Sequence, residues 1–392
     1  MGLEITGVRF KPFVIPLARP LGDANGPRGR THMGGNVIYL DTNEGLTGVA
    51  LGGSTRVMQS MVNELLVGHD PRGVRGLWKK MVDAVFKRGN RGEANGALSA
   101  LDVALWDLKA KANGEPLWRT LGASTRKVKV YASGIDYPLS NDELRTFYEG
   151  MAAKGISAGK LKVGLDIEYD LERIGIMRDA LATSGKTPEL MIDSNEYWSP
   201  KQAIRYISYI EQHYDLTWVE EPARRWDYRG LRAVSRAVKA AVATGENLDE
   251  IADFMPLIAN EAVDVVEVGT GASGITGMMA IADLAYGFEI PVALMNCPAN
   301  YSAHVGAVLP NHWMMEWLDV GRDALMIHNH KVEDGWIVLS DDPGLGIFFD
   351  EAKLEAASKA SLPPGEGFGW GRRRGAGMYL VGPQESEEIE EE

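Results

Sequence analysis

Three carboxylates and two lysines carry the chemistry that can be read in this 392-residue chain. Lys160 and Lys162 stand in Gly159-Lys160-Leu161-Lys162-Val163-Gly164. Asp193 follows Glu189-Leu190-Met191-Ile192, Glu220 follows Leu216-Thr217-Trp218-Val219, and Glu246 follows Ala241-Val242-Ala243-Thr244-Gly245. The carboxylates are spaced by 27 and 26 residues, one strand-plus-helix unit each, so adjacent parallel strands bring them to one rim. Three monodentate carboxylates suit Mg²⁺, which takes oxygen ligands in an octahedron and keeps positions for water or substrate. Such an ion offsets the charge that develops when a proton leaves the carbon beside a substrate carboxylate. Side chains at i and i+2 of a strand share a face, so Lys160 and Lys162 both line the site. Two neighbouring ammoniums near a divalent cation are expected to have lowered pKa values, toward the range where an amine accepts a proton. Lys162 is assigned as the base, and Lys160 as its electrostatic partner and a contact to the substrate carboxylate. Met alone, a Lys-x-Lys is a solvated strand face and a Glu-Glu-Pro is a strand entering a turn. In order, and in register with a β/α repeat, they form a constellation.

The elements that must position these residues follow from periodicity. From Lys127 onward, short apolar runs alternate with longer helical stretches: 127–132, 159–163, 189–192, 217–219, 241–244, 263–268, 291–294 and 313–317. Alternating β and α at this pitch implies a parallel sheet, and eight strands imply a closed barrel whose working residues sit at the strands' C-terminal ends. The residues before it mix strands (5–16, 37–51) with helices (57–66, 77–87, 97–112). Between those strands, Arg19 to Arg30 is rich in Gly, Pro and charge, which reads as a mobile loop. Beyond Leu325 a strand at 335–339 and a helix at 351–360 are expected, then an acidic, disordered end at 385–392.

The series resembles the enolase superfamily and, within it, the mandelate racemase and muconate-lactonizing branch. Lys160-Leu161-Lys162, Asp193-Ser194-Asn195, Trp218-Val219-Glu220-Glu221-Pro222 and Thr244-Gly245-Glu246-Asn247 carry the resemblance. Ser99-Ala100-Leu101-Asp102-Val103-Ala104-Leu105-Trp106-Asp107-Leu108 is similar to a helix of that branch's capping domain. The likeness spans roughly the first 320 residues. It implies an α/β fold: a modified TIM (β/α) barrel over 126–322, an α+β capping domain over 1–125, and a C-terminal segment, 323–392, returning to the cap. It also implies that the Arg19–Arg30 loop acts as a lid, that Glu316 on the eighth strand is a hydrogen-bonding partner, and that the protein is a homo-oligomer. The pairing of a Lys base with Mg²⁺ is a known property of that superfamily. Asn195, Asn296, Arg28 and His32 are candidate substrate contacts, the last two either holding the far end of a diacid or decorating the surface.

Composition agrees. Hydrophobic residues make up 45% and charged residues 24%, ordinary for a globular protein. A net charge of −13 argues against a nucleic-acid partner. Cys297 is the single cysteine, so no intrachain disulfide forms. No run reaches a membrane span and no secretory signal opens the chain, so a reducing cytoplasm is expected. The N-terminal Met1-Gly2-Leu3-Glu4-Ile5-Thr6 fits the loose myristoylation pattern, but it continues into strand-like residues without a basic follow-up.

Two features separate the readings. Gly269-Thr270-Gly271-Ala272-Ser273-Gly274 is formally a dinucleotide fingerprint, yet it sits on the sixth strand of a continuing series, and Glu289 precedes the next strand instead of following it. Ser273-Gly274-Ile275-Thr276 instead resembles the branch's Gly-Gly-Ile-Thr. Branch members with a second base carry an Asp and a His at the ends of the sixth and seventh strands; here those regions read Glu267-Val268-Gly269 and Leu294-Met295-Asn296. Without that pair, racemisation loses its second group, whereas a β-elimination needs one base and some acid. His304 is the nearest histidine in sequence, and it reads as structural more readily than catalytic. His312 also reads as structural, and His328-Asn329-His330 as a surface turn. The expectation is a Mg²⁺-dependent dehydration of a small hydroxylated carboxylate, an acid sugar. The alternatives are a racemase, epimerase or cycloisomerase, and a metal-binding barrel without catalysis.

Overall fold

The computed structural model describes residues 2–295, 301–318, 320–321 and 324–366. Asn296, Cys297 and the acidic end lie outside the described residues. The chain opens with an antiparallel sheet, β1 (Ile5–Leu21), β2 (Arg30–Thr42) and β3 (Thr47–Gly52), in that spatial order. Helices α1 (Thr55–Met61), α2 (Val74–Val85), α3 (Gly92–Ala112) and α4 (Leu117–Thr120) follow. β1 runs five residues past the expected Pro16, and the run expected over 37–51 is two strands with a turn between them. The Gly- and Pro-rich segment is therefore the end of a hairpin: Leu21 pairs with Arg30, and 22–29 form its tip outside the ladder.

The barrel then alternates without a break. Its strands are β4 (Lys127–Ser133), β5 (Ala158–Lys162), β6 (Glu189–Asp193), β7 (Leu216–Glu220), β8 (Ala241–Thr244), β9 (Val265–Val268), β10 (Val292–Leu294) and β11 (His312–Trp317). Between them come α5 (Asn141–Ala152), α6 (Ile167–Ala182), α7 (Pro200–Ile210), α8 (Tyr228–Ala237), α9 (Ile251–Ala259), α10 (Gly274–Tyr286) and α11 (Ser302–Gly306). Neighbouring strands pair in parallel and β11 pairs with β4, which closes the ring. Helix starts are written locally: Ser140 with Glu143, and Ser199 with Gln202, form capping boxes for α5 and α7, and Pro200 opens α7. Asp166 caps α6 through the N–H groups of Glu168 and Tyr169.

Inside the barrel, one side chain from each strand forms a floor: Tyr131, Ala158, Met191, Trp218, Ala243, Val265, Ala293 and Met314, all buried. Trp218 meets Tyr131 and Trp313 edge to face, with centroids at 5.2 and 5.4 Å. Because side chains alternate along a strand, the next inward residues lie two positions on. They are Ser133, Lys160, Asp193, Glu220, Gly245, Glu267, Met295 and Glu316, so a layer rich in charge rests on a packed one.

The cap is seated by α3. Its Asp102 accepts hydrogen bonds from the N–H and hydroxyl of Thr276 at the start of α10 (2.8 and 2.7 Å), and Trp106 Nε1 donates to the same hydroxyl (2.9 Å). Ser99 donates to the Gly271 carbonyl (3.1 Å). A Cβ on Gly274, where φ is +76°, would stand 2.5 Å from an Asp102 oxygen. The glycine-rich run after β9 thus serves close packing of α3 against the barrel.

The C-terminal part carries β12 (Met326–His328), β13 (Lys331–Glu333), β14 (Trp336–Val338), β15 (Ile347–Phe349) and α12 (Glu351–Ala357). β14 pairs antiparallel with the start of β4. α12 lies on the cap, where Lys11 reaches Glu351 (3.5 Å) and Glu355 (3.1 Å), and Tyr39 donates to Glu351 (3.2 Å). His328 and His330 stack at 4.2 Å, and His330 is buried beside Trp317 instead of lying on a surface turn. No helix among the described residues is long and apolar enough to cross a membrane.

Candidate active site

The register of three strand pairs assembles the site. Lys162 lies opposite Asp193 across β5–β6, Asp193 opposite Glu220 across β6–β7, and Glu220 opposite Ala243 across β7–β8. Lys160, Lys162, Asp193, Glu220 and Glu316 are all buried, while Glu246 is half-buried at the rim. Lys162 Nζ donates to Asp193 Oδ2 (2.5 Å) and to Asn195 Oδ1 (2.8 Å). Lys160 Nζ bonds Glu220 and lies 3.4 Å from Asp193 Oδ2 and 3.3 Å from Glu316 Oε1. Asn195 Nδ2 reaches Glu246 Oε1 at 3.4 Å, and Asn247 Nδ2 bridges Glu246 (3.1 Å) and Glu221 (2.8 Å). One hydrogen-bonded cluster thus joins seven of the ten candidates with the rim residues.

Backbone shape at the rim departs from ordinary strand ends. Asn195, Glu196 and Glu221 have φ of +46°, +58° and +44°, a region that L-residues other than Asn and Asp avoid. Cross-strand bonds hold them there: Glu196 N donates to Glu221 O (2.9 Å) and Glu221 N to Ala243 O (2.8 Å). Glu196 is further clamped by Arg225 (2.7 Å). Such strain persists where surrounding bonds over-determine it, and it concentrates at functional sites.

The electrostatics differ from the sequence expectation. Burial is the largest single influence on Lys162 and disfavours its ammonium, but Asp193, Glu246 and Glu220 together outweigh it and raise the pKa; on Lys160, burial is likewise outweighed by Glu220, Glu316 and Asp193 together. Lysines expected to lose a proton are held charged by the carboxylates. Burial would raise Asp193, yet Lys162 and Lys160 bring it down to about 2. Burial, then the charge of Asp193, push Glu220 up to about 8, and burial raises Glu246. Glu267, pointing inward from β9, is fully buried with its carboxyl against that of Glu220, and burial, then the charge of Glu220, raise its pKa well above the usual carboxylate range. The cluster holds more negative charge than two lysines neutralise.

That imbalance tests the metal assignment. Hard carboxylate oxygens with raised pKa values, and a further buried acid, Glu267, against Glu220, suit a divalent cation. Among the described residues no three acidic or histidine side chains enclose a metal position as they stand; the lysine ammoniums are drawn in between the carboxylates instead. The donor set fits the ion, and the lysines stand in for its charge.

Other candidates fall elsewhere. His32 lies on β2, its ring against the Thr31 hydroxyl (2.9 Å) and its N–H on Glu366 (2.9 Å), and Arg28 is exposed at the hairpin tip. Neither joins the cluster. His304 is buried, with Nδ1 accepting from Trp118 N (3.0 Å) and Nε2 against Leu345 O (3.1 Å), and burial lowers its pKa to about 4. It is a structural pin.

Sequence reasoning missed three participants. Glu267 could have been found by counting inward positions from Val265. Asp136 had no signal: buried beyond β4, it accepts from the Lys162 N–H (3.1 Å) and the Tyr148 hydroxyl (2.8 Å) and so pins the strand that carries Lys162. Asp23, in the hairpin tip, had none either.

Comparison with known proteins agrees with this geometry. The family model of the mandelate racemase / muconate lactonizing enzyme N-terminal domain matches residues 17–122, and the enolase C-terminal domain-like model matches 143–353. A 3,6-anhydro-alpha-L-galactonate cycloisomerase of Streptomyces coelicolor is 32% identical over 74% of this chain and 79% of its own. An L-talarate/galactarate dehydratase of Salmonella typhimurium is 30% identical over 89% and 90%. The crystal structure of that dehydratase with Mg and L-lyxarohydroxamate superposes with a TM-score of 0.81 at 29% identity, covering 91% of this chain and 93% of the other. The chain belongs to the mandelate racemase and muconate-lactonizing enzyme branch of the enolase superfamily.

Proposed function

We propose that the protein dehydrates a hydroxylated carboxylic acid, of the acid-sugar class, to a 2-keto-3-deoxy acid. The observation that carries this reading is the buried cluster in which Lys162 and Lys160 face Asp193, Glu220 and Glu246. Asp193, Glu220 and Glu246 are assigned to hold Mg²⁺, which when bound supplies positive charge to the substrate carboxylate as the α-proton leaves. Lys160 and Glu316 orient that carboxylate, and Asn195 holds Lys162 toward it. Lys162, once the cation takes over the charge of Asp193 and the ammonium has passed its proton to water, takes the α-proton as a neutral amine. The electron pair left on the α-carbon closes the α–β double bond as the β-carbon–oxygen bond breaks. The departing hydroxyl receives a proton and leaves as water, and the enol tautomerises to the 2-keto acid. Lys162, now an ammonium, is the proton donor nearest the reacting face, so a syn elimination uses one side chain twice.

The inward layer of β9 and β10 offers Glu267 and Met295 in place of the expected Asp and His pair. Glu267 sits beside Glu220 in the carboxylate cluster, and Met295 moves no proton, which supports elimination over racemisation. The same first step opens a cycloisomerisation, the activity for which the Streptomyces relative is named. The fate of the enol separates the two.

The protein loaded with Mg²⁺ is incubated with mono- and diacid sugars, 2-keto acids are trapped with semicarbazide, and Lys162→Ala is run in parallel. A hit that disappears in Lys162→Ala is the expected result. α-Deuteration in D₂O without keto acid would replace dehydration by racemisation or epimerisation, and full turnover by Lys162→Ala would remove the base assignment.

A further inference from the structure

The tip of the β1–β2 hairpin is laid over the rim that carries the base. Gly22 N donates to Ile135 O (2.8 Å) and Tyr137 N donates to Gly22 O (3.2 Å). Ala24 is fully buried, 3.2 Å from where a Cβ on Gly164 would stand. Asn25 Nδ2 donates to Asn195 O (3.0 Å). These contacts fix the tip above the ends of β4, β5 and β6, the last two being the strands of Lys162 and Asp193.

Asp23 is the acidic residue of this tip. Its Oδ1 accepts from the N–H groups of Asn25 (2.7 Å) and Gly26 (3.1 Å), which holds the side chain in one orientation. No hydrogen bond to Oδ2 is present among the described residues, although the group is largely enclosed. The charges acting on it most strongly are those of Lys162 and then Asp193, and burial raises its pKa against the pull of Lys162.

We infer that Asp23 sets the charge accepted at the far end of the substrate, selecting hydroxylated monocarboxylates and disfavouring dicarboxylates. This rests on the assignment of Lys162 and the carboxylate cluster made above. With the first carboxylate at Lys160 and the α-carbon at Lys162, the remaining carbons must extend away from the floor, which is packed shut, and so toward the hairpin tip. A hydroxyl there donates to Oδ2. A second carboxylate there meets a like charge in a site with little water to screen it. Two cations of the same hairpin are engaged elsewhere. Arg30 binds the Glu366 carbonyl, and Arg19 bonds Gly134 O (2.9 Å) and covers the Phe147 ring.

Matched pairs that differ only at the far carbon, gluconate with glucarate and galactonate with galactarate, test this. Binding to the Mg²⁺-loaded protein is measured by calorimetry and turnover by keto-acid release, for wild type and Asp23→Asn, which retains the turn-forming oxygen. In wild type the monoacid of each pair should bind about tenfold or more tightly than its diacid, and Asp23→Asn should erase most of that ratio. A wild-type preference for diacids, a ratio unchanged in Asp23→Asn, or no binding by either member of both pairs overturns the inference. A binding preference that depends on Asp23 but comes without turnover leaves the inference standing and removes dehydration instead.

Discussion

Met191 and Asp193 stand two residues apart on β6, both fully buried and both directed at the barrel axis. One fills space and the other holds charge. The contrast repeats around the ring: Ala158 lies below Lys160, Trp218 below Glu220, Val265 below Glu267 and Met314 below Glu316. The lower ring is apolar and tightly packed, so it stabilises by burial and fixes the strands' spacing. The upper ring buries acids and sets them beside each other, and burial first, then the neighbouring carboxylate, raises the pKa values of Glu220 and Glu267. A scaffold rung built for packing thus makes it possible to hold, one rung higher, a cluster that is unfavourable until a cation arrives.

The comparison can be broken at either ring. The largest effect is expected above: Lys162→Ala should reduce turnover by about 10²–10⁴-fold with an unchanged circular dichroism spectrum. Loss of fold together with activity would mean that the charged layer is structural. Next, Met191→Ala should destabilise by about 2–5 kcal/mol in urea unfolding, while the folded fraction keeps turnover within a few-fold. A dead but fully stable Met191→Ala protein would erase the division. Third, Mg²⁺ at about 100 times its Kd should add about 2.7 kcal/mol of stability, and Asp193→Asn or chelator should remove most of that gain.

The smallest effect is a pH slope in the metal-free protein. Glu220 titrates at about 8 in the fold against an ordinary 4.5, so between those values the unfolded chain gives up the proton first. Stability should therefore fall as pH rises from about 4.5 to 8. Asp193 has the opposite sign: held at about 2 against 3.8, its contribution is present above about 4 and is lost as pH falls toward 2. Urea midpoints at pH 5 and pH 8 measure the upper limb, and Glu220→Gln should reduce it, leaving the part that Asp102 and Asp170, both raised to about 7 by burial, contribute. An unchanged slope in that variant would assign the titration to another group.

What the sequence revealed was what alternation and spacing determine. All eight barrel strands fall within two residues of their expected positions, because a short apolar run between helices has one place in a β/α ring. Lys160 and Lys162 share a site because i and i+2 share a face. Asp23 and Asp136 were hidden because their positions come from loops docked across distant strands, and no local period encodes that. The charge of the lysines in the absence of the cation was hidden for a related reason. Two like charges in one motif are visible in the sequence, but the carboxylates that outweigh them arrive from three other strands.

The floor has a further consequence. Eight side chains plug the barrel from below, so Lys162 is reached from the rim, a doorway overhung by Gly22 to Asn25. Whatever enters must turn back through that doorway after it has reacted. Product and incoming substrate therefore compete for the same passage, and the hairpin tip is the threshold that both must cross.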